Sequence, residues 1–65
     1  MNTAPRTYKI TRDGVTVGET RTYTDAFIFL LRQQGQSAEW AMTHEGWDII
    51  TPDGDSMARA EGLVK

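Results

Sequence analysis

The sequence predicts a small α+β domain of the order β-β-α-β-β, with two antiparallel hairpins, or one four-stranded sheet, packed on a single central helix. Three observations predict this class. Asp13-Gly14 separates two β-rich segments, the apolar residues 26–31 precede Gly35, and a second β-rich pair surrounds Glu45-Gly46. With 65 residues, the chain is long enough for one domain spanning residues 1–65.

The first hairpin is predicted from residues 6–12 and 15–23, joined by Asp13-Gly14. Asp-Gly between alternating segments is a strong hairpin signal because both central residues of a type I′ turn need positive φ. A two-residue turn leaves one face apolar and the other rich in threonine. The expected facing pairs are Arg12 with Val15, Ile10 with Val17, and Tyr8 with Glu19.

The central helix is predicted over residues 25–34. Thr24 is expected to cap its N-terminus, and Asp25 lies where the helix dipole favours a negative charge. Gly35 supplies the left-handed residue that ends a helix.

The second hairpin is predicted from residues 39–44 and 47–51 around Glu45-Gly46, and it repeats the pattern of the first at a spacing of 32 residues. A two-residue turn would place one set of side chains on a single face, buried under the helix: Trp40, Met42, Trp47 and Ile49. A longer loop with a bulge at Gly46 would shift this register by one residue. Residues 52–54 carry the Pro-Asp-Gly signature of a turn.

The ordered core is expected to span about residues 6–54, with residues 1–5 and 55–65 as loosely ordered tails. Within the second tail, residues 56–61 are compatible with a short helix that ends at Gly62, and residues 63–64 with docking on a sheet edge.

The central helix is too apolar for a single buried face. Residues 27–31 are all large and apolar, and at 100° per residue they cannot all point inward. With Phe27, Leu30 and Leu31 directed to the core, Phe29 would lie on the opposite side. A helix rotated to bury Phe29 and Leu30 would instead leave Ile28 and Leu31 outside. The sequence therefore predicts a protein interface, with coverage by the C-terminal tail as the alternative. The interface residues are Phe29, Ile28, Arg32 and Asp25.

Charge is unevenly placed along a chain whose formal net charge is −2. The first hairpin holds four basic residues that would serve an alternative function, nucleic-acid binding by a basic ribbon. The sequence pI of about 5.1 disfavours this alternative, since nucleic-acid-binding domains usually exceed 9. The basic residues are Arg6, Lys9, Arg12 and Arg21.

Little in the sequence supports catalysis or metal binding. With no cysteine, disulfides, thiolate nucleophiles and cysteine metal sites are excluded. His44 is the single histidine and has no converging set of ligands. Residues 53–56 begin like a calcium loop but lack its later ligands. We expect no enzyme activity, no cofactor and no metal.

The remaining features predict a cytoplasmic protein without membrane contact, because the N-terminus lacks a signal-peptide pattern and the apolar run 26–31 is too short to cross a bilayer. The leading functional hypothesis is a small non-enzymatic protein-binding or regulatory module. Size alone also suggests an accessory protein of a phage or mobile element. The two alternatives are the nucleic-acid-binding ribbon and a self-associating structural subunit such as a homodimer.

Overall fold

The computed structural model describes residues 6–35 and 37–63, over which the chain forms a three-stranded antiparallel sheet and three helices. The small α+β class predicted from the sequence is confirmed. The elements are β1 (Tyr8–Arg12), β2 (Val15–Thr20), α1 (Tyr23–Gln34), α2 (Ala38–His44), β3 (Trp47–Ile50) and α3 (Met57–Ala60). Predictions about residues 1–5, 36 and 64–65 lie outside the described residues.

The first hairpin forms around the predicted turn. Asp13 has φ 53° and Gly14 φ 84°, the left-handed conformations that a tight two-residue hairpin turn requires. Arg12 pairs with Val15, as expected.

Beyond the first pairs the predicted register of the hairpin is wrong, because β2 contains a bulge. Ile10 faces Gly18 instead of Val17, and Tyr8 faces Thr20 instead of Glu19. One extra residue in β2 is enough to invert which side chains face the core. As a result Gly18 lies beneath α1, while Val17 is 48% exposed.

Helix α1 occupies the predicted segment but begins earlier. Its N-cap is Thr22, whose side chain accepts a hydrogen bond from the Asp25 backbone N–H at 3.1 Å. Thr22 has the extended backbone of an N-cap, whereas Thr24 already lies within the helix. Gly35 adopts the left-handed conformation and donates its N–H to the carbonyl oxygen of Leu31, which ends the helix as predicted.

The predicted second hairpin is wrong, because the chain forms helix α2 where its first strand was expected. The Ser37 side chain accepts from the Trp40 N–H at 3.1 Å and caps the first turn. The buried residues Ala38, Ala41 and Met42 recur at helical spacing. Trp40 and Met42 are two positions apart, which resembles the alternation of a strand. In the structure both residues belong to helix α2.

Strand β3 is confirmed, yet its partner is β1. Ile49 pairs with Ile10 and Trp47 with Arg12, both antiparallel. The sheet order is therefore β2-β1-β3, with β1 in the centre. No fourth strand joins this sheet in the described ranges. Of the two predicted hairpins, only the one made by β1 and β2 forms there.

The C-terminal segment returns to β3 through the side chain of Asp48. Its carboxylate accepts hydrogen bonds from the hydroxyl of Ser56 and from the Ala58 N–H, the latter at 3.0 Å. Ser56 also caps α3 and forms a bridge with Ile50. Ala58 is 1% exposed, so α3 adds to the core and covers part of the outer edge of β3.

The core lies between the sheet and the helices. Central contributions come from Ile10 and Ile49 of the sheet and from Ala26 and Leu30 of α1, all fully buried. Burial of such aliphatic side chains is the main favourable term in folding. None of the helices in the described part of the chain is long and apolar enough to cross a membrane.

Candidate protein-binding surface

All four interface residues predicted from the sequence line one groove beside α1. The groove has a volume of about 430 Å³, and Thr20 at the end of β2 lines its sheet side. Its lining residues are Thr20, Asp25, Ile28, Phe29, Arg32 and Gln33. The structure therefore brings the predicted residues together, although the function predicted for them remains a hypothesis.

The helical wall of the groove carries an apolar residue between two opposite charges. Asp25, Ile28 and Arg32 are spaced by three and four residues and share one face of α1. Ile28 is 41% exposed. Asp25 lies in the first turn and Arg32 in the last, where each charge suits the helix dipole. The two charged residues are seven positions apart, about 10.5 Å along the helix axis, which is too far for a direct ion pair.

Phe29 forms the base of this groove, and its predicted orientation toward solvent is wrong. The ring packs over Gly18 and is partly buried against the core. A Cβ atom on residue 18 would lie 2.7 Å from Cζ of Phe29, so the ring occupies the space that a side chain would fill. The bulge in β2 explains the difference, since it places a glycine under the helix.

Strand β2 contributes an open sheet edge next to the groove. It pairs with β1 on one side, and among the described residues no strand pairs with its other side. Val15 is 64% exposed and Val17 48% exposed. Edge strands of soluble proteins usually carry lysine, proline or a cover that blocks pairing. In β2 the bulge and Glu19 are the only such features.

Sequence reasoning missed the exposure of these two valines. Alternation assigns Val15 and Val17 to the apolar face that packs on the core, because it reveals neither the bulge, which replaces Val17 by Gly18 opposite Ile10, nor the position of β2 at the edge of the sheet. We call the outer edge of β2, with Val15 and Val17, together with the groove-lining flank of α1 the β2/α1 surface.

Two basic residues of the alternative nucleic-acid site contact other side chains of the fold. Arg6 forms an exposed ion pair with Asp53 at 2.7 Å. The guanidinium of Arg12 lies 5.4 Å from the centre of the Trp47 ring. The ion pair of Arg6 reduces the positive charge that is available to a phosphate.

The other two basic residues, Lys9 and Arg21, are exposed. Lys9 lies directly across from Glu19 in the ladder of β1 and β2, so a negative charge stands beside it. Lys9 and Arg12 are three positions apart on one strand, which directs them to opposite faces of the sheet. These observations do not favour the ribbon model, which remains an untested alternative.

The single histidine stacks on a tryptophan. The rings of Trp40 and His44 lie 4.8 Å apart at 13°, on the exposed side of α2. Nδ1 of His44 is 3.2 Å from the Trp40 carbonyl oxygen. Trp40 is 41% exposed, so its predicted place in the core is wrong. Over residues 6–35 and 37–63, no three His, Cys, Asp or Glu side chains cluster as metal ligands.

One titratable group near the start of α1 is perturbed. Burial raises the pKa of Tyr23 above 10.0, and the negative charge of Glu61 adds to the rise. The ring packs edge-on against Tyr8, with centroids 6.0 Å apart. Tyr23 lies in a cluster that joins the sheet, α1 and the segment after α3, and we assign it to packing rather than to chemistry.

Comparison with known proteins adds no relative from which a function can be transferred. Neither the family models, nor the curated proteins, nor the solved structures that were compared match this chain. The functional argument therefore depends on the β2/α1 surface alone.

Proposed function

We propose that this chain is a non-enzymatic protein-binding or regulatory module that binds its partner through the β2/α1 surface. The observation that carries the proposal is the open edge of β2, which exposes Val15 and Val17 and whose last residue, Thr20, lines a groove that also contains Phe29. A sheet edge recognises a protein by accepting an additional strand, whose main chain completes the hydrogen bonding of the edge.

The two parts of the surface supply different contributions to binding. The backbone of β2 offers unpaired N–H and C=O groups, which give affinity for any extended segment. Selectivity then depends on side chains. Val15 and Val17 present apolar side chains on the edge strand, and Ile28 presents another on α1. The flanking charges of Asp25 and Arg32 set the orientation of the partner.

The opposite edge of the sheet is less suited to this role. The outer side of β3 is partly occupied by the bridge between Ile50 and Ser56 and by α3 behind it. Strand addition is therefore expected at β2.

Site-specific photocrosslinking in the cells that produce the protein tests the proposal. A benzophenone side chain is placed at Val15 on the edge, and in a separate protein at Ala60, which is exposed on α3. Val17→Lys is combined with the edge crosslinker, because a lysine on an edge strand opposes pairing. Ala60→Lys adds the same charge at the distant site and serves as the matched control.

We expect a protein adduct from Val15 that Val17→Lys reduces at least about tenfold and Ala60→Lys leaves unchanged. Circular dichroism of each variant establishes that the fold is retained. An adduct formed equally from both benzophenone positions, or no adduct from Val15, would contradict the proposal.

A further inference from the structure

We infer that the partner bound by the β2/α1 surface is a second copy of this chain, related to the first by a two-fold axis perpendicular to the sheet. In this dimer β2 pairs antiparallel with β2 of the second copy, and the flanks of the two α1 helices face each other. The inference rests on the proposed function, since it names the occupant of the same surface.

The charges of α1 are self-complementary under a two-fold axis. In a two-fold interface, if one residue of the first copy contacts a second residue of the other copy, the same contact occurs again with the two copies exchanged. When two α1 helices run antiparallel with Ile28 at the centre, Asp25 of each copy faces Arg32 of the other. Neither side chain has an ion-pair partner among the described residues, so both charges are available for this contact.

One two-fold axis can relate both the two β2 strands and the two α1 helices. The Phe29 ring rests on Gly18, which places the middle of α1 above the middle of β2. An axis passing beside Val17 therefore also passes beside Ile28. Val17 is the extra residue of the bulge, so the ladder hydrogen bonds are expected on either side of it. Pairing centred on Val17 sets Glu19 of one copy opposite Val15 of the other. The two Glu19 carboxylates are thus kept from facing each other, a contact that would be unfavourable.

The spacing of the elements fits such a dimer. Paired strands lie about 4.8 Å apart, so an axis between two copies of β2 lies about 2.4 Å outside each strand. Helix α1 contacts all three strands, and a point above the central strand β1 lies about 7.2 Å from the axis. The two helix axes would then be about 14 Å apart, wider than the distance of about 8–10 Å at which helices pack directly, so the helices meet through the side chains of Asp25 and Arg32.

A chain of 65 residues also gains more from self-association than a larger domain does. Domains of this size bury only about 60% of the surface that the unfolded chain exposes. A dimer would pair the exposed edge of β2 in both copies and join two three-stranded sheets into one continuous sheet.

Light scattering and sedimentation across concentration measure the mass of the full chain. We expect a species of twice 7.3 kDa that dissociates on dilution. Asp25→Lys and Arg32→Glu each replace two attractive contacts of the dimer by two repulsive ones. Each should raise the dimer Kd at least about tenfold. Arg59→Glu, at an exposed position of α3, is the matched control and should leave Kd unchanged.

Mixing the two single variants provides the decisive observation. In the mixed dimer the lysine introduced by Asp25→Lys faces the glutamate introduced by Arg32→Glu. The second contact joins the unchanged Arg32 of one chain to the unchanged Asp25 of the other, so both contacts are attractive again. An equimolar mixture should therefore dimerise with about the wild-type Kd, although each variant alone is weakened. Circular dichroism verifies that each variant is folded.

The outcomes separate this inference from the proposed function. A wild-type chain that stays monomeric at about millimolar concentration overturns the dimer, as does a dimer whose Kd neither variant changes. If the Val15 crosslink then yields an adduct with another protein, the binding function stands and the occupant is a foreign strand. If neither a dimer nor an edge adduct forms, both fail.

Discussion

The contact between Gly18 and Phe29 joins β2 to α1, and adding a methyl group at residue 18 tests it directly. The new Cβ would lie 2.7 Å from Cζ and 3.1 Å from each Cε of the ring. Carbon atoms in ordinary contact are about 3.5 Å apart, so the ring would have to move by about 0.8 Å. Overpacking of this kind costs about 1–3 kcal/mol.

Alanine in a strand also stabilises the folded state by about 0.5–1 kcal/mol relative to glycine, because alanine loses less conformational entropy on folding. We therefore expect Gly18→Ala to lower the free energy of unfolding by about 0.5–2 kcal/mol. In a domain of this size, each change of about 1 kcal/mol moves Tm by about 4–8 °C. Urea and thermal unfolding followed by circular dichroism measure both quantities.

The Phe29→Leu background isolates the contact. Leucine has no atoms at the Cε and Cζ positions that crowd residue 18, but it keeps an apolar side chain on the core. There Gly18→Ala should stabilise the fold by about 0.5–1 kcal/mol, which makes the coupling between the two sites about 1–3 kcal/mol. Thr16→Ala, at an exposed position of the same strand, is the control and should change the free energy of unfolding equally in both backgrounds. Equal effects of Gly18→Ala in the two backgrounds would refute the packing of the ring on Gly18.

Three further measurements probe other contacts of the fold. Folding raises the pKa of Tyr23 above 10.0, so the stability that the neutral phenol contributes is complete below that pH and is lost as pH rises through the folded pKa. Tyr23→Phe should therefore reduce the loss of resistance to urea unfolding above about pH 10, and an unchanged loss would contradict this. Asp48→Ala removes the acceptor of the Ser56 hydroxyl and should cost about 1–3 kcal/mol in urea unfolding, whereas a cost below about 0.5 kcal/mol would exclude a stabilising role. Arg6→Ala breaks only the exposed ion pair with Asp53 and should change stability by less than about 0.5 kcal/mol, so a larger effect would show a contribution beyond that pair.

The candidate site could be predicted in composition but not in arrangement. The excess of apolar residues on α1 indicated a surface that includes Asp25, Ile28, Phe29 and Arg32, and these residues do line one groove. The exposed apolar group is Ile28, however, and Phe29 is turned toward Gly18. A helical wheel gives the relative directions of side chains, but the sheet that the helix meets decides which direction points inward.

Local signals in the sequence by themselves determined the turn of the first hairpin and the C-terminal end of α1. Asp13-Gly14 is decisive because few residues accept positive φ, and Gly35 ends the helix for the same reason. Tertiary structure alone decided that residues 38–44 are helical and that β3 pairs with β1. It also placed β2 at the edge of the sheet. Short apolar patterns fit a helix or a strand nearly equally well, and only contacts between residues distant in sequence choose between them.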